Sequence, residues 1–370
     1  MVGGYLRDVL LGRKSIDRDF AAKGNLQDIL EKIAAKTDGR IICIGKRNFY
    51  RIVSAKGLML DFSPVDKDIE HDLRERDFTV NSMAWSPGTG IIDLNNGMND
   101  LSKKIIKMNR IDNLLKDPVR ILRAYRLADE MSFKIDPKTR NALKTIRKRI
   151  REAKSERITL EFFRILNSNN NIITLRTLLK DGILEQIIPL SHGKLEDKLK
   201  VIYNFNKIFD KLPLRYKVKL GKEFSQGLSY KGLLTLEILM LGSPYCDHLT
   251  MSSRINEHIS LLRNIRKFTG KEKRAREELY RIFKTAGRAL LDYILINNML
   301  KYINEYERYV RIMKKCILPT KEIMQITGLK EGKALGTVIE ELKRAEFICK
   351  IKHKGEAIDF IKEKCLFNLT

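Results

Sequence analysis

The sequence predicts an α+β protein: a small head built on a mixed sheet, followed by an all-helical arm. Three observations carry this reading. Runs with strand character, Ile41–Ile44, Phe49–Val53 and Leu58–Phe62, fall within the first hundred residues. Beyond about residue 100 the strand signals fade and helical spacing takes over, as at Ile121, Leu122, Tyr125 and Ala128, then Leu160, Phe163 and Leu166, then Leu290, Leu291 and Ile294. A chain of 370 residues is also too long for one ordinary core, and at 43% hydrophobic it can bury several.

Taken in order, Gly3-Gly4 opens a helix that ends at Leu11-Gly12. Asp17 and Asp19 follow on an extended segment, where residues two apart face the same side, so both carboxylates can reach one metal cluster. Oxygen ligands of this kind suit Mg²⁺, which keeps several waters and takes one or two carboxylates plus substrate phosphates. Glycines at a helix start let phosphate approach backbone N–H groups, and Arg7 in the first turn adds a fork of donors. A plain turn and a solvated strand edge would carry the same residues. Leu26, Ile29, Leu30 and Ile33 mark a second helix, and Ala55-Lys56-Gly57 a turn between strands. Asp61, near the end of the Leu58–Pro64 run, becomes a third carboxylate if its strand lies beside that of Asp19; otherwise it is an ordinary strand-end residue.

The run from Arg74 to Ala84 passes abruptly from charged to apolar. Arg76 is placed to meet a triphosphate and Asp77 or Asn81 to bond a ribose hydroxyl, although a solvated helix start looks similar. Asp93–Leu101 reads as a turn-rich hinge between head and arm. In the segment Lys116–Arg126, Asp117 and Arg120 sit three apart on one helical face. A carboxylate accepts from an exocyclic amine while a guanidinium donates to an unprotonated ring nitrogen, so this pair matches the Watson–Crick edges of cytosine and adenine and rejects guanine and uracil. Asp before Pro is equally a routine helix cap, and the two roles are compatible.

The chain carries 72 basic and 46 acidic residues, a formal +26. That excess favours a polyanionic partner, nucleic acid or membrane surface, over a neutral metabolite; a generally basic proteome is the alternative. Five cysteines are scattered without C-x-x-C spacing, which implies neither a disulfide framework nor a zinc site and fits a reducing cytoplasm. No signal peptide is recognisable and no apolar run is long enough to span a membrane.

Five ordered motifs now stand together: Val2-Gly3-Gly4-Tyr5-Leu6-Arg7-Asp8, Asp17-x-Asp19, Arg76–Asn81, Asp117–Ala124 and Glu156-Arg157-Ile158-x-x-Glu161. Their series resembles the bacterial tRNA nucleotidyltransferase and poly(A) polymerase family, and Leu318–Met324 with Gly328–Gly332 resembles the tail of these enzymes. The resemblance implies a catalytic head (1–104), a neck with a base-reading helix (105–166), a helical body (167–250) and a helical tRNA-binding tail (251–370). It implies addition of C, C and A to tRNA 3′ ends from CTP and ATP, with Mg²⁺ and without a nucleic acid template. By motif, Asp17 and Asp19 hold metal and Asp61 is the third acidic group. Gly3, Gly4 and Arg7 meet the triphosphate, Arg76, Asp77 and Asn81 serve triphosphate and ribose, and Asp117, Arg120 and Arg123 read the base. Glu156, Arg157 and Glu161 brace the neck.

Two basic runs would meet tRNA phosphates, Arg140, Lys144, Arg147, Lys148, Arg149 and Arg151, and then Arg263, Arg266, Lys267, Lys271, Lys273, Arg274 and Arg276, with some of these only solvating helix faces. The chain also departs from the family. Relatives have a strand and lead-in before the glycine turn, so a head sheet lacking part of a strand is expected. Lys116 stands where an acidic residue is usual, and Asn96 replaces a hinge glycine. The segment between Asp61 and Arg76 is short, a feature associated with enzymes that stop after CC, and the product is left open between CC, A and CCA. The five histidines do not form the pattern of an HD phosphohydrolase domain, so that activity is not expected. A poly(A) polymerase and a non-catalytic RNA-binding relative are the competing readings.

Overall fold

The computed structural model describes residues 1–13, 17–44, 49–55, 57–65, 67–243, 246–265 and 275–367, with Asp17, Asn264, Ile265 and residues 364–367 described by backbone alone. The chain forms two units, Met1–Glu196 with Ser243–Thr250, and Asp197–Gly242 with Met251–Thr370.

Unit 1 opens with helix α1 (Gly3–Leu10), strand β1 (Asp17–Ala22), helix α2 (Leu26–Thr37) and strands β2 (Gly39–Ile44), β3 (Phe49–Ser54) and β4 (Met59–Pro64). The sheet order is β1-β4-β3-β2; β1 and β4 run parallel and the other pairs antiparallel, the mixed sheet that the sequence predicts. The Asn25 side chain caps α2 by accepting from the Gln27 N–H. Leu26 and Leu30 of α2 then cover Ile52, Leu60 and Phe62 on one sheet face. Phe20 and Phe62, partners in the parallel register, stack on each other with ring centres 5.2 Å apart. Because side chains alternate along a strand, this apolar face assigns Asp19, Asp61 and Arg51 to the other one. The turn at residues 55–57 is closed by the Gly57 N–H on the Ser54 carbonyl, with Lys56 outside the described residues.

The charged-to-apolar run at 74–84 becomes the end of helix α3 (Ile69–Glu75), a 3-10 turn (Thr79–Asn81) and strand β5 (Met83–Ser86), which pairs with β6 (Gly90–Asp93). Val2 bridges Ala84 of this hairpin, and the Val2 N–H donates to the Asp19 carbonyl at 3.0 Å. The expected hinge is half helix. Asp93 accepts from the N–H groups of Gly97 and Met98 and so caps helix α4 (Gly97–Ser102), while Asn96 adopts a left-handed φ of 61°. Gly97 has no substitute there, since a Cβ would run into the Thr79 carbonyl.

Helices α5 (Ile111–Lys116), α6 (Arg120–Met131), α7 (Pro137–Thr145), α8 (Ser155–Asn167), α9 (Asn171–Lys180) and α10 (Leu184–Ile187) complete this unit. Strands do recur beyond residue 100: β7 (Ile105–Ile106) pairs with β8 (Lys134–Ile135), a ladder too short to leave a period in the sequence. Buried polar groups hold the helices together. Arg126 on α6 bonds Glu161 on α8 at 2.5 Å, and Asp181 accepts from Tyr125 and from Arg140. The Ser243–Thr250 segment joins this unit through the Thr250 N–H on Thr159 Oγ1 and Cys246 Sγ on the Ile187 carbonyl.

Unit 2 is built from α11 (His192–Lys211, from Asp197 onward), α12 (Leu214–Gly221), α13 (Tyr230–Met240), α14 (Ser253–Ile265), α15 (Arg276–Ala286), α16 (Leu290–Ile296), α17 (Ile303–Lys314), α18 (Thr320–Thr327), α19 (Lys333–Phe347) and α20 (Lys354–Phe367), and it too departs from the expected all-helical arm in one short antiparallel pair, β9 (Glu223–Ser225) with β10 (Leu228–Ser229). One core gathers Tyr280, Phe283, Tyr309 and Phe347 edge to face; another gathers Leu318, Ile323, Leu342, Ile351 and Ile361. Among the described residues no helix is long and apolar enough to cross a membrane.

Candidate active site

The parallel register sets Asp19 opposite Asp61; Asp17 stands two residues before Asp19 at the start of β1, with its side chain outside the described residues. A set of carboxylate oxygens on one sheet face fits a hard divalent cation such as Mg²⁺. One feature of this face was not foreseen. Arg51, the antiparallel partner of Asp61 on β3, grips both of its carboxylate oxygens, at 2.6 and 2.7 Å. This bidentate pair orients a buried carboxylate and balances its charge.

The glycine turn is fastened to this strand by the Val2 to Asp19 hydrogen bond. Gly3 has φ +67°, and a Cβ there would run into the Arg76 guanidinium. Glycine is therefore required twice over, for its conformation and for the approach of a cation. Gly4 lies beneath Arg7, whose nitrogens begin 3.5 Å from a Cβ built at that position. Arg7 itself is committed to bracing: it donates to Asp8 at 2.8 and 2.9 Å and to Asn81 Oδ1 at 2.6 Å. Arg76 is held by Asp72 at 2.9 and 3.0 Å and reaches the Asn81 carbonyl at 3.4 Å.

Asp77 is buried and accepts from the Asn81 amide at 3.0 Å. Arg123 Nε stands 2.9 Å from the other Asp77 oxygen, close enough for an ion pair though not aligned as a hydrogen bond. Burial opposes ionisation of Asp77, but Arg123 and Asn81 more than offset it and hold the carboxyl below its ordinary range. Arg123, grouped with the base-reading residues in the sequence, is thus directed to Asp77. Asn109 and Asn113 both donate to the Arg76 carbonyl and fix the backbone of this motif.

Asp117 and Arg120 come together across 3.6 Å just where α6 begins. The Asp117 carboxylate accepts two 2.7 Å bonds from Arg157, and its backbone carbonyl, not its side chain, takes the Arg120 N–H. Arg120 also donates to the carbonyls of Glu75 and Asn113. One ionic anchor on Asp117 and two backbone carbonyls on Arg120 therefore set the orientation of this pair before any base arrives. Glu161, five residues after Glu156 on α8, is buried against Arg126.

The basic runs divide by role. Arg140 and Lys144 pair with buried Asp181, whereas Lys148 is exposed. Arg263 and Arg276 lie on helices α14 and α15; Arg266, Lys267, Lys271, Lys273 and Arg274 lie outside the described residues. Arg51, Asp72, Asn109 and Asn113 are the positioning groups that sequence reasoning missed, and the cross-strand register that exposes Arg51 has no signature within a single run.

Comparison with known proteins adds an independent line. Residues 50–107 match the family described as poly A polymerase head domain, and residues 132–194 the family described as the probable RNA and SrmB-binding site of polymerase A. A CC-adding tRNA nucleotidyltransferase of Synechocystis sp. is 27% identical over 98% of this chain and 92% of its own length. An A-adding tRNA nucleotidyltransferase of Aquifex aeolicus is 29% identical over 93% of this chain, which spans only 44% of that relative. Among solved structures, the Thermotoga maritima CCA-adding enzyme complexed with tRNA shares the fold, with a TM-score of 0.75 at 20% identity over 100% of this chain and 90% of that one.

Proposed function

Starting from a chain that belongs to the bacterial tRNA nucleotidyltransferase and poly(A) polymerase family, we propose that it extends the 3′ end of tRNA from nucleoside triphosphates, without a nucleic acid template and with release of pyrophosphate. The observation that supports this reading is the hydrogen bond that ties the glycine turn to the strand at Asp19, which keeps the turn proposed to receive phosphate beside the carboxylates proposed to hold metal. The chain reads as head (1–104), neck (105–166), body (167–250) and tail (251–370), with a cytoplasmic setting following from the tRNA substrate.

The Gly3 and Gly4 backbone and Arg76 receive the triphosphate, while Arg7 holds the turn in place through Asn81 and Asp8. Asp77 and Asn81 face the ribose, and Asp117 with Arg120 reads the amine and the ring nitrogen of C or A. Asp17, Asp19 and Asp61 would hold Mg²⁺, which when bound neutralises charge on the phosphates and favours the ionised hydroxyl. The RNA 3′ hydroxyl attacks the α-phosphate in line as the bond to pyrophosphate breaks.

The product we favour is CC. Only residues 65–68 separate β4 from α3, leaving no extended segment between Asp61 and Arg76 to rearrange for a second base, and a CC-adding enzyme is among the relatives matched over most of their length, as is a CCA-adding one. Completion of CCA is the second reading, favoured by a base-reading pair that fits adenine as well as cytosine. The test is product sequencing with Mg²⁺ and tRNA transcripts ending at the discriminator base, at C and at CC, offered CTP and ATP separately and together. Extension to CC with no further A supports CC addition, and CCA on all three transcripts supports the second reading. No incorporation by the folded chain excludes catalysis.

A further inference from the structure

Unit 2 holds a buried constellation that the transfer reaction does not use. Glu237 on α13, His258 on α14 and Asp292 on α16 present three ligand atoms within 4.8 Å of one another. Asp292 is fully buried and Glu237 is 1% exposed. His258 Nε2 lies 2.5 Å from Asp292 Oδ2 and 3.8 Å from Glu237 Oε1. Tyr230 donates its hydroxyl to the other Asp292 oxygen at 2.8 Å, and the rings of Tyr230 and Phe224 flank the imidazole.

Glu237 is the telling member. Neither of its carboxylate oxygens has a hydrogen-bond partner among the described residues, although the side chain is buried and directed at His258. A buried carboxylate without partners is strongly disfavoured unless a proton or a cation neutralises it.

We propose that Glu237, His258 and Asp292 form a structural site for a zinc-class divalent metal ion, joining α13, α14 and α16. Two carboxylates and one neutral imidazole balance a 2+ ion. One nitrogen with two oxygens is a borderline donor set that suits Zn²⁺ better than Mg²⁺. At Zn–N and Zn–O lengths of about 2.1 Å, tetrahedral ligand atoms lie about 3.4 Å apart. The His258–Glu237 spacing already approaches that value, and the ion enters by opening the His258–Asp292 contact by about 1 Å. Tyr230 is then the outer-sphere donor that fixes the Asp292 carboxylate. The three positions are spread over 56 residues on separate helices, a spacing no local motif would flag.

The test uses the full chain, stripped with a chelator, held in millimolar Mg²⁺ to occupy oxygen-only sites, and titrated with Zn²⁺ alone. One tight equivalent is expected, with a rise in Tm of about 5 °C at saturation. Glu237→Gln and His258→Gln should each weaken Zn²⁺ binding at least 100-fold and abolish the Tm response while remaining folded by circular dichroism. If either variant does not fold, X-ray absorption at the zinc edge of the wild-type chain decides: a shell of oxygens and one imidazole supports the site, and sulfur ligands overturn it. Absence of Zn²⁺ binding by the folded wild-type chain, or binding unchanged in both variants, also overturns it and leaves a proton as the group that neutralises Glu237.

Discussion

Gly3 shows how little latitude a single residue has here. An alanine at φ +67° costs about 1–2 kcal/mol in backbone strain, and its methyl group also displaces Arg76. Gly3→Ala should therefore leave the fold intact and raise the KM for CTP by about tenfold, measured by steady-state incorporation. Asp19→Asn and Asp61→Asn should lower kcat by at least 10²-fold, the order expected when a preorganised charge is lost at the reacting phosphate. Arg51→Ala tests a different property, because it leaves Asp61 buried without its cation. We expect a lower Tm together with reduced kcat, partly restored by Arg51→Lys, and an unchanged Tm would remove Arg51 as the positioning group. Asp19, Asp61 and Gly3 were legible in the sequence because their placement follows from strand period and local backbone. Arg51 and Arg157 were not assigned to Asp61 and Asp117, because those pairings exist only once β3 lies beside β4 and α8 faces the start of α6.

At the scale of elements, buried ion pairs do much of the joining in unit 1. Arg126 links α6 to α8 through Glu161, both side chains being nearly excluded from water. Glu161→Gln leaves the guanidinium with Glu130 as its one carboxylate partner and should destabilise the protein by about 1.5–3 kcal/mol, read as a lower midpoint in urea. Asp181 makes a similar joint between α6, α7 and the end of α9, and its carboxyl is held below the ordinary range: burial works against this, but the bonds from Arg140 and Tyr125 prevail. A depressed folded-state pKa contributes stability above the unfolded value of about 3.9 and loses it as pH falls through the folded value. Asp181→Asn should thus lower Tm at pH 6, and the gap to wild type should narrow below about pH 4. A gap of constant size would show that Asp181 acts through shape alone. Of the helices that make these joints, α6 and α8 were readable from their apolar spacing, as were β2, β3 and β4, whereas α7 and α9 were not singled out. The β5–β6 hairpin and the two-residue β7–β8 ladder were not, being strands set by what they pair with rather than by any period of their own.

For the molecule as a whole, the +26 charge has to be divided between work inside the fold and work outside it. Arg126, Arg140, Lys144 and Arg157 are engaged with carboxylates of the same chain, so the net excess overstates what a polyanion would meet at any one place. Sequence alone could count these charges but not sort them, since an arginine paired with buried Asp181 and a lysine exposed to solvent occupy the same basic run. The distinction is measurable. Binding of tRNA should weaken steeply with salt, because each phosphate contact releases counterions. Lys148→Ala, at an exposed position on the 3-10 turn after α7, should leave Tm unchanged and reduce the slope of log K against log salt by about one contact's worth, uniformly across tRNA sequences. Arg140→Ala should do the opposite, lowering Tm through the loss of Asp181's partner while the salt slope of the remaining folded protein stays where it was. If both substitutions changed the slope and neither changed Tm, the division between internal and external charge drawn from the geometry would be wrong, and the basic run would have to be treated as a single RNA-facing surface.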